Sequence, residues 1–315
     1  MMVNPVIRRE LIERLRGLRA FLAITVFVGV LTLTTFLVFE AQAASARFDL
    51  STRTGTGRLV FETVILVMAI LVMFFVPSLT AGAIAGERER QTLATLQVTM
   101  LRTRSILFGK IAAALMFLLL MFVAALPVLS VAYILGGVRL VDIGRGVLAV
   151  AVIGVLMATM VVAVSSFARR TQTATMMAYG FTLFVCLMGP LVYLIGFLLD
   201  ARTPDDRTIA PAWLLTVNPF VLLADLGSGN QSSINAPLSL IREGLGNAKT
   251  ENDGRWFAWF PDPRPDNGAF AVANPGHPVG GVPAWLIGLV VLGLIAVGFQ
   301  LLAVRRLRTP AEVER

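Results

Sequence analysis

Six stretches of the chain run without a charged residue for long enough to cross a bilayer. Between Arg19 and Glu40 lie 20 uncharged residues, between Glu62 and Glu87 24, and between Lys110 and Arg139 28. Between Arg145 and Arg169 lie 23, and between Arg170 and Asp200 29. A sixth apolar run extends from Ala284 to Val304. A bilayer needs about 20 apolar residues per spanning helix. Only helices and closed barrels satisfy their backbone groups inside lipid. The pattern therefore predicts an all-α integral membrane protein with six transmembrane helices, at about 20–39, 63–85, 111–135, 147–167, 173–199 and 284–304.

A seventh run, between Arg207 and Asp225, has 17 residues and contains Pro211 and Pro219. It is too short and too broken for a span, and Asn218-Pro219 reads as a turn. A re-entrant or interfacial segment is expected there. It belongs to a large external loop region, residues 200–283, between the fifth and sixth spans. The chain thus divides into residues 1–199 with five spans, the loop region, and residues 284–315 with the last span and a tail.

Composition agrees. The 315 residues are 57% hydrophobic and 15% charged, against about 25% charged in a soluble domain. That excludes a disordered chain and argues against a soluble enzyme. A single cysteine, Cys186, excludes an internal disulfide framework, and a single histidine, His277, excludes a His-Glu-x-x-His zinc site. The sequence carries no phosphate-binding loop of the G-x-x-x-x-G-K-[ST] type, so ATP hydrolysis by that route is not expected of this chain.

The net charge of +8 is unevenly placed. Residues 1–19, 87–110, 169–170 and 305–315 are all net basic, while the remaining loops together are net acidic. Basic loops stay in the cytoplasm. Six spans with both termini cytoplasmic, in the cell membrane, fit this distribution. The basic balance is therefore explained by topology and does not imply nucleic acid. Lys110 and Lys249 are the only lysines. Such an arginine bias points to a GC-rich bacterial genome. Ala41-Gln42-Ala43 resembles a signal-peptidase site, but the long first apolar run and Glu10 and Glu13 before it favour a retained span.

Two segments outside the spans are patterned. In residues 5–19, Ile7, Leu11, Leu15 and Leu18 fall on one helical face. Asn4 suits an N-cap, Pro5 the first helical position, and Glu10 with Arg14 an i,i+4 pair. An interfacial helix lying on membrane lipid is expected. The alternative is a plain positively charged anchor. The second segment follows the second span. Glu87-Arg88-Glu89-Arg90 is dense alternating charge, and Thr92, Leu93, Leu96 and Thr99 then form a short helical stripe. Such a segment suits docking of another protein, or it is a solvated loop between two spans.

The stretch from Glu87-Arg88-Glu89 through Thr92-Leu93, Leu96 and Thr99 to Ile106 and Gly109-Lys110 resembles the first cytoplasmic loop of the ABC type-2 permeases. These are the membrane subunits of ATP-binding-cassette exporters. Asn4-Pro5-Val6 with Arg9-Glu10-Leu11, and Asn218-Pro219-Phe220, are also similar to that family. Gln91 stands where the family often has glycine, and Met100 where it often has proline. Apart from Asn218-Pro219-Phe220, residues 200–283 are not covered by the resemblance.

The resemblance implies that residues 5–19 form an elbow helix and that the loop after the second span is a coupling helix held by a separate ATPase subunit. Glu87, Arg88 and Glu89 would then make rim contacts, and Thr92, Leu93 and Leu96 would supply the docking stripe. It further implies a pair of permeases, this chain with a second copy or a related one. No cofactor is expected in this chain, since ATP and magnesium would sit on the ATPases. Two other readings remain open, a secondary carrier and a non-transporting scaffold or sensor using the external loop. No ionisable residue is expected at mid-membrane, which disfavours a proton-driven carrier.

Within the spans Pro77, Pro127 and Pro190 interrupt helices and could serve gating, although prolines are common in membrane helices. In the loop region Trp256, Phe257, Trp259 and Phe260 cluster beside Pro261, as in an interfacial aromatic belt. Asp262, Asp266 and His277 match no metal-ligand spacing.

Overall fold

The computed structural model describes residues 18–45, 56–91, 103–200, 217–227 and 284–308, with isolated positions 215, 237, 238 and 241. The described residues form helices joined by short links. In chain order these are α1 (Leu18–Ser45), α2 (Thr56–Thr80), α3 (Gly82–Glu89), α4 (Thr103–Ile134), α5 (Leu140–Ser165), α6 (Thr171–Asp200), α7 (Pro219–Gly227) and α8 (Ala284–Arg308). Among the described residues six helical segments are long and apolar enough to cross a membrane, with α3 prolonging α2. The expected spans are all present.

The bundle is built around α5. It packs against α2, α4, α6, α7 and α8, and α2 packs in turn against α1 and α4. In α5, 61% of the most apolar stretch is buried inside the protein, against 17% for α1 and for α6. Small residues explain this central place, since they let helix backbones approach closely in lipid. A side chain at Gly146 would press on Phe61 and Ile65 of α2, and one at Gly154 on Leu118 of α4. The peripheral helices instead expose large apolar side chains, among them Phe21 and Phe36 of α1 and Phe184 and Leu187 of α6. In a membrane these faces meet lipid or another apolar protein surface.

The helices run past the charge-free stretches that predicted them. Arg58 and Glu62, expected in a loop, lie within α2, buried, with Arg58 Nε donating to Glu62 Oε1 at 2.9 Å. Lys110 lies inside α4, and Asp142 in the first turn of α5 accepts from the Arg139 backbone and guanidinium. A charge no longer ends a spanning helix once it has a partner, because pairing offsets part of its desolvation cost.

The α4–α5 link shows how tight this end is. Gly136 and Gly137 both take positive φ, 84° and 80°, a conformation that other residues adopt only at a cost. The turn brings the Gly136 carbonyl so close to Gly57 of α2 that a Cβ there would collide with its oxygen.

The segment 207–225 contributes α7. Leu222, Leu223 and Ala224 are at most 1% exposed, and α7 packs against α5 and α8. It joins the main apolar core. Asn218 is its N-cap and Pro219 its first residue, which places the proline where its missing N–H costs nothing.

Candidate functional site

The charged sequence Glu87-Arg88-Glu89 ends the long α2–α3 unit, and each of its three side chains reaches a different part of the bundle. Glu87 Oε1 accepts from Lys110 Nζ of α4 at 3.2 Å. Arg88 Nη1 donates to the backbone carbonyls of Ser166 at 3.2 Å and Ala168 at 2.9 Å, in the α5–α6 link. Glu89 Oε2 accepts from the backbone N–H of Thr171 at 2.9 Å and from its hydroxyl at 2.6 Å, at the start of α6.

Helix electrostatics account for the order of the charges. The C-terminal end of a helix is partially negative and the N-terminal end partially positive. Arg88 serves the carbonyls just past the end of α5, and its neighbour Glu89 serves the first amide of α6. Reversing the two charges would set each against the wrong pole.

Other groups secure the same corner. The Ser165 hydroxyl, buried at the end of α5, accepts from the backbone amides of Ile84 and Ala85 in α3, both at 3.2 Å. Ala85, Ala168 and Ala174 close a small apolar contact beneath the charges. From α8, the Arg306 guanidinium lies 5.0 Å from the centre of the Phe167 ring. The short link between α5 and α6 is thus gripped from α3 and from α8, and it leaves Arg169 and Arg170 exposed.

Past Glu89 the chain turns. Arg90 N–H bonds to the Gly86 carbonyl and Gln91 N–H to the Arg88 carbonyl. Gln91 has φ of 58°, the one positive φ outside glycine among the described residues. This is a helix C-terminus closed by a left-handed residue, for which glycine is the usual choice. The departure from the family pattern at Gln91 therefore falls at a position whose backbone favours glycine.

Glu87, Arg88 and Glu89 are brought together here. Thr92, Leu93 and Leu96 lie outside the described residues, as do Ile7, Leu11 and Leu15 of the N-terminal segment. Leu18 opens α1 and is 77% exposed. Asp262, Asp266, His277 and the aromatic cluster at 256–260 are also outside the described residues. Among the described residues no group of three or more His, Cys, Asp and Glu side chains is placed to hold a metal.

Several polar groups escaped a reading based on charge. Gln300 of α8 donates to the Thr159 carbonyl of α5 at 2.6 Å. Tyr179 of α6 donates to the Phe74 carbonyl of α2 at 3.1 Å. Asn218 accepts from the Phe220 amide at 2.8 Å and donates to the Cys186 carbonyl at 2.6 Å. For Asn218 a signal was present: asparagine directly before a proline marks a helix start as well as a turn.

A comparison with curated proteins gave no match. Among protein families, the model described as "ABC-2 family transporter protein" matches residues 4–303, nearly the whole chain. With six apolar helices of spanning length among the described residues, the chain belongs to the ABC-2 transporter family and is a multi-pass membrane permease of an ATP-binding-cassette transporter.

Proposed function

We propose that the chain is the permease subunit of an exporter, paired with a second copy or a related permease and driven by separate ATPase subunits that carry ATP and magnesium. Both termini and the 87–110 segment face the cytoplasm of a bacterial cell, the basic side of the charge distribution. Thr92, Leu93 and Leu96 form the stripe that enters the ATPase, and residues 5–19 form the elbow helix on the inner leaflet.

The observation that carries this reading is the triple attachment of Glu87, Arg88 and Glu89 to α4, the α5–α6 link and α6. A segment that only separated two spans would not need its first three charges tied to three other elements. Under this reading the three are positioning residues. A displacement of the segment by the ATPases is delivered to α4, α5 and α6 together, and the bundle shifts between its two access states as a body.

The test is purification of the tagged chain in mild detergent, with identification of what accompanies it. An ATPase subunit is expected with the native chain, lost in a Leu93→Asp variant and retained in Glu89→Gln. Absence of any ATPase, with the chain intact and membrane-embedded, overturns the proposal in favour of a carrier or a scaffold.

A further inference from the structure

Pro190 sits inside α6 and Pro77 inside α2. A proline supplies no N–H, so the carbonyl four residues earlier loses its helical donor. In α6 that carbonyl belongs to Cys186, and in α2 to Met73. These two residues touch: the Cys186 thiol donates to the Met73 thioether sulfur at 3.3 Å. Toward the basic side from Cys186, Tyr179 bonds to the carbonyl of Phe74, and their rings lie 5.7 Å apart. The proline-weakened turns of α2 and α6 therefore meet at Met73 and Cys186, with Pro77 on the basic side of the contact and Pro190 on the other.

The carbonyl freed by Pro190 has found a donor from elsewhere. Asn218, 2% exposed, gives its side-chain amide N–H to Cys186 at 2.6 Å while its oxygen caps α7 through the Phe220 amide. The Asn218 backbone carbonyl accepts from Leu222 in the same turn. One side chain thus joins the weak point of α6 to the start of a helix embedded in the core.

We propose that Asn218 is a positioning residue that fixes a composite hinge, made of the Pro77 and Pro190 turns, to α7. On the basic side of this hinge, α3 and the first half of α6 form one unit, because Glu89 holds Thr171. At the hinge itself, Asn218 ties α7 to the Cys186 carbonyl of the weakened α6 turn. A push on the basic end turns the first unit about the paired weak points, and the Asn218 strut holds the α6 pivot at Cys186 against α7. This inference rests on the reading of the chain as an ATPase-driven permease.

Cys186 is the only cysteine in the chain, so it reports on the hinge directly. The experiment measures N-ethylmaleimide labelling of Cys186, read as the mass shift of the permease, in the reconstituted complex without nucleotide and after vanadate trapping with ATP. In the native complex the rate is expected to change about fivefold or more, the lower range of coupling between two sites. Asn218→Ser keeps a good N-cap residue but is too short to reach Cys186. It is expected to keep the ATPase bound and hydrolysing while the labelling change falls below about twofold, under that same range.

Pro190→Ala added to Asn218→Ser returns a backbone donor to Cys186. Thermal stability is expected to recover, and the nucleotide-linked change is not, because the weak point has gone. A change that survives Asn218→Ser, or returns together with stability, overturns the proposal and leaves Asn218 a structural residue. So does labelling insensitive to nucleotide in a native complex that hydrolyses ATP. If Asn218→Ser does not assemble, Asn218→Asp, which also keeps the cap acceptor, takes its place with the same outcomes. Failure to isolate any ATPase overturns the broader reading and this inference with it, and is seen before labelling begins.

Discussion

Glu89, the last residue of α3, caps Thr171, the first residue of α6, through both its amide and its hydroxyl. The two residues are 82 positions apart in sequence, and their bond makes the end of one helix the beginning of another. Glu89→Ala and Thr171→Ala each remove part of this junction. Both variants are expected to keep ATP hydrolysis by the complex and to lose the nucleotide-linked labelling change at Cys186. The double variant is expected to be no worse than either single one, as for two partners in one interaction. Additive losses in the labelling assay would show that the two residues act separately.

Arg88 makes charge-assisted hydrogen bonds to two carbonyls of the α5–α6 link. Replacing it with alanine is expected to lower stability by about 1.5–3 kcal/mol, the range for hydrogen bonds to charged groups. Arg88→Lys is expected to recover only part of this, because an ammonium is a point charge without the planar fork of donors. Thermal unfolding of the purified chain in detergent measures both. Full recovery with lysine would mean that charge alone matters there.

At Gln91 the left-handed backbone, φ 58°, is a strain that glycine does not carry. Gln91→Gly is expected to stabilise the chain by about 1 kcal/mol, seen as a rise in the thermal midpoint. A fall would mean that the glutamine side chain contributes more than its backbone costs.

Gly57 is tightly constrained at the far end of the bundle, because the Gly136 carbonyl oxygen occupies the space that a Cβ would need. Backbone is what stands in the way, so no rotamer change relieves it. Gly57→Ala is expected to cost about 3 kcal/mol or more and to reduce the yield of folded protein sharply. Gly180→Ala, which meets nothing within 4 Å, is the matched control and is expected to behave as the native chain in the same expression and melting assays.

The number of spans and their order were legible from charge-free length alone, and the basic side of the molecule from the placement of arginine. The ends of the helices were not. Glu62 and Lys110 looked like boundaries, and Arg58 and Asp142 fell in expected loops, yet all four lie within helices, each beside a charged partner. Glu87-Arg88-Glu89 was visible as a motif, first for its charge density and then by resemblance. That its members reach α4, the α5–α6 link and α6 could not be read, since the partners include backbone carbonyls and an amide 78 to 82 residues away.

Local sequence determines what depends on local chemistry: apolar length gives helix in lipid, and proline marks where a helix loses a hydrogen bond. It does not determine which foreign group replaces that bond. Pro190 is visible in the sequence as a lost donor, but that Asn218 supplies the replacement, and that Met73 beside Pro77 lies against the same residue, follows only from the packing of α2, α6 and α7. A buried carbonyl accepts any donor brought within reach, and the folded bundle alone decides which one arrives.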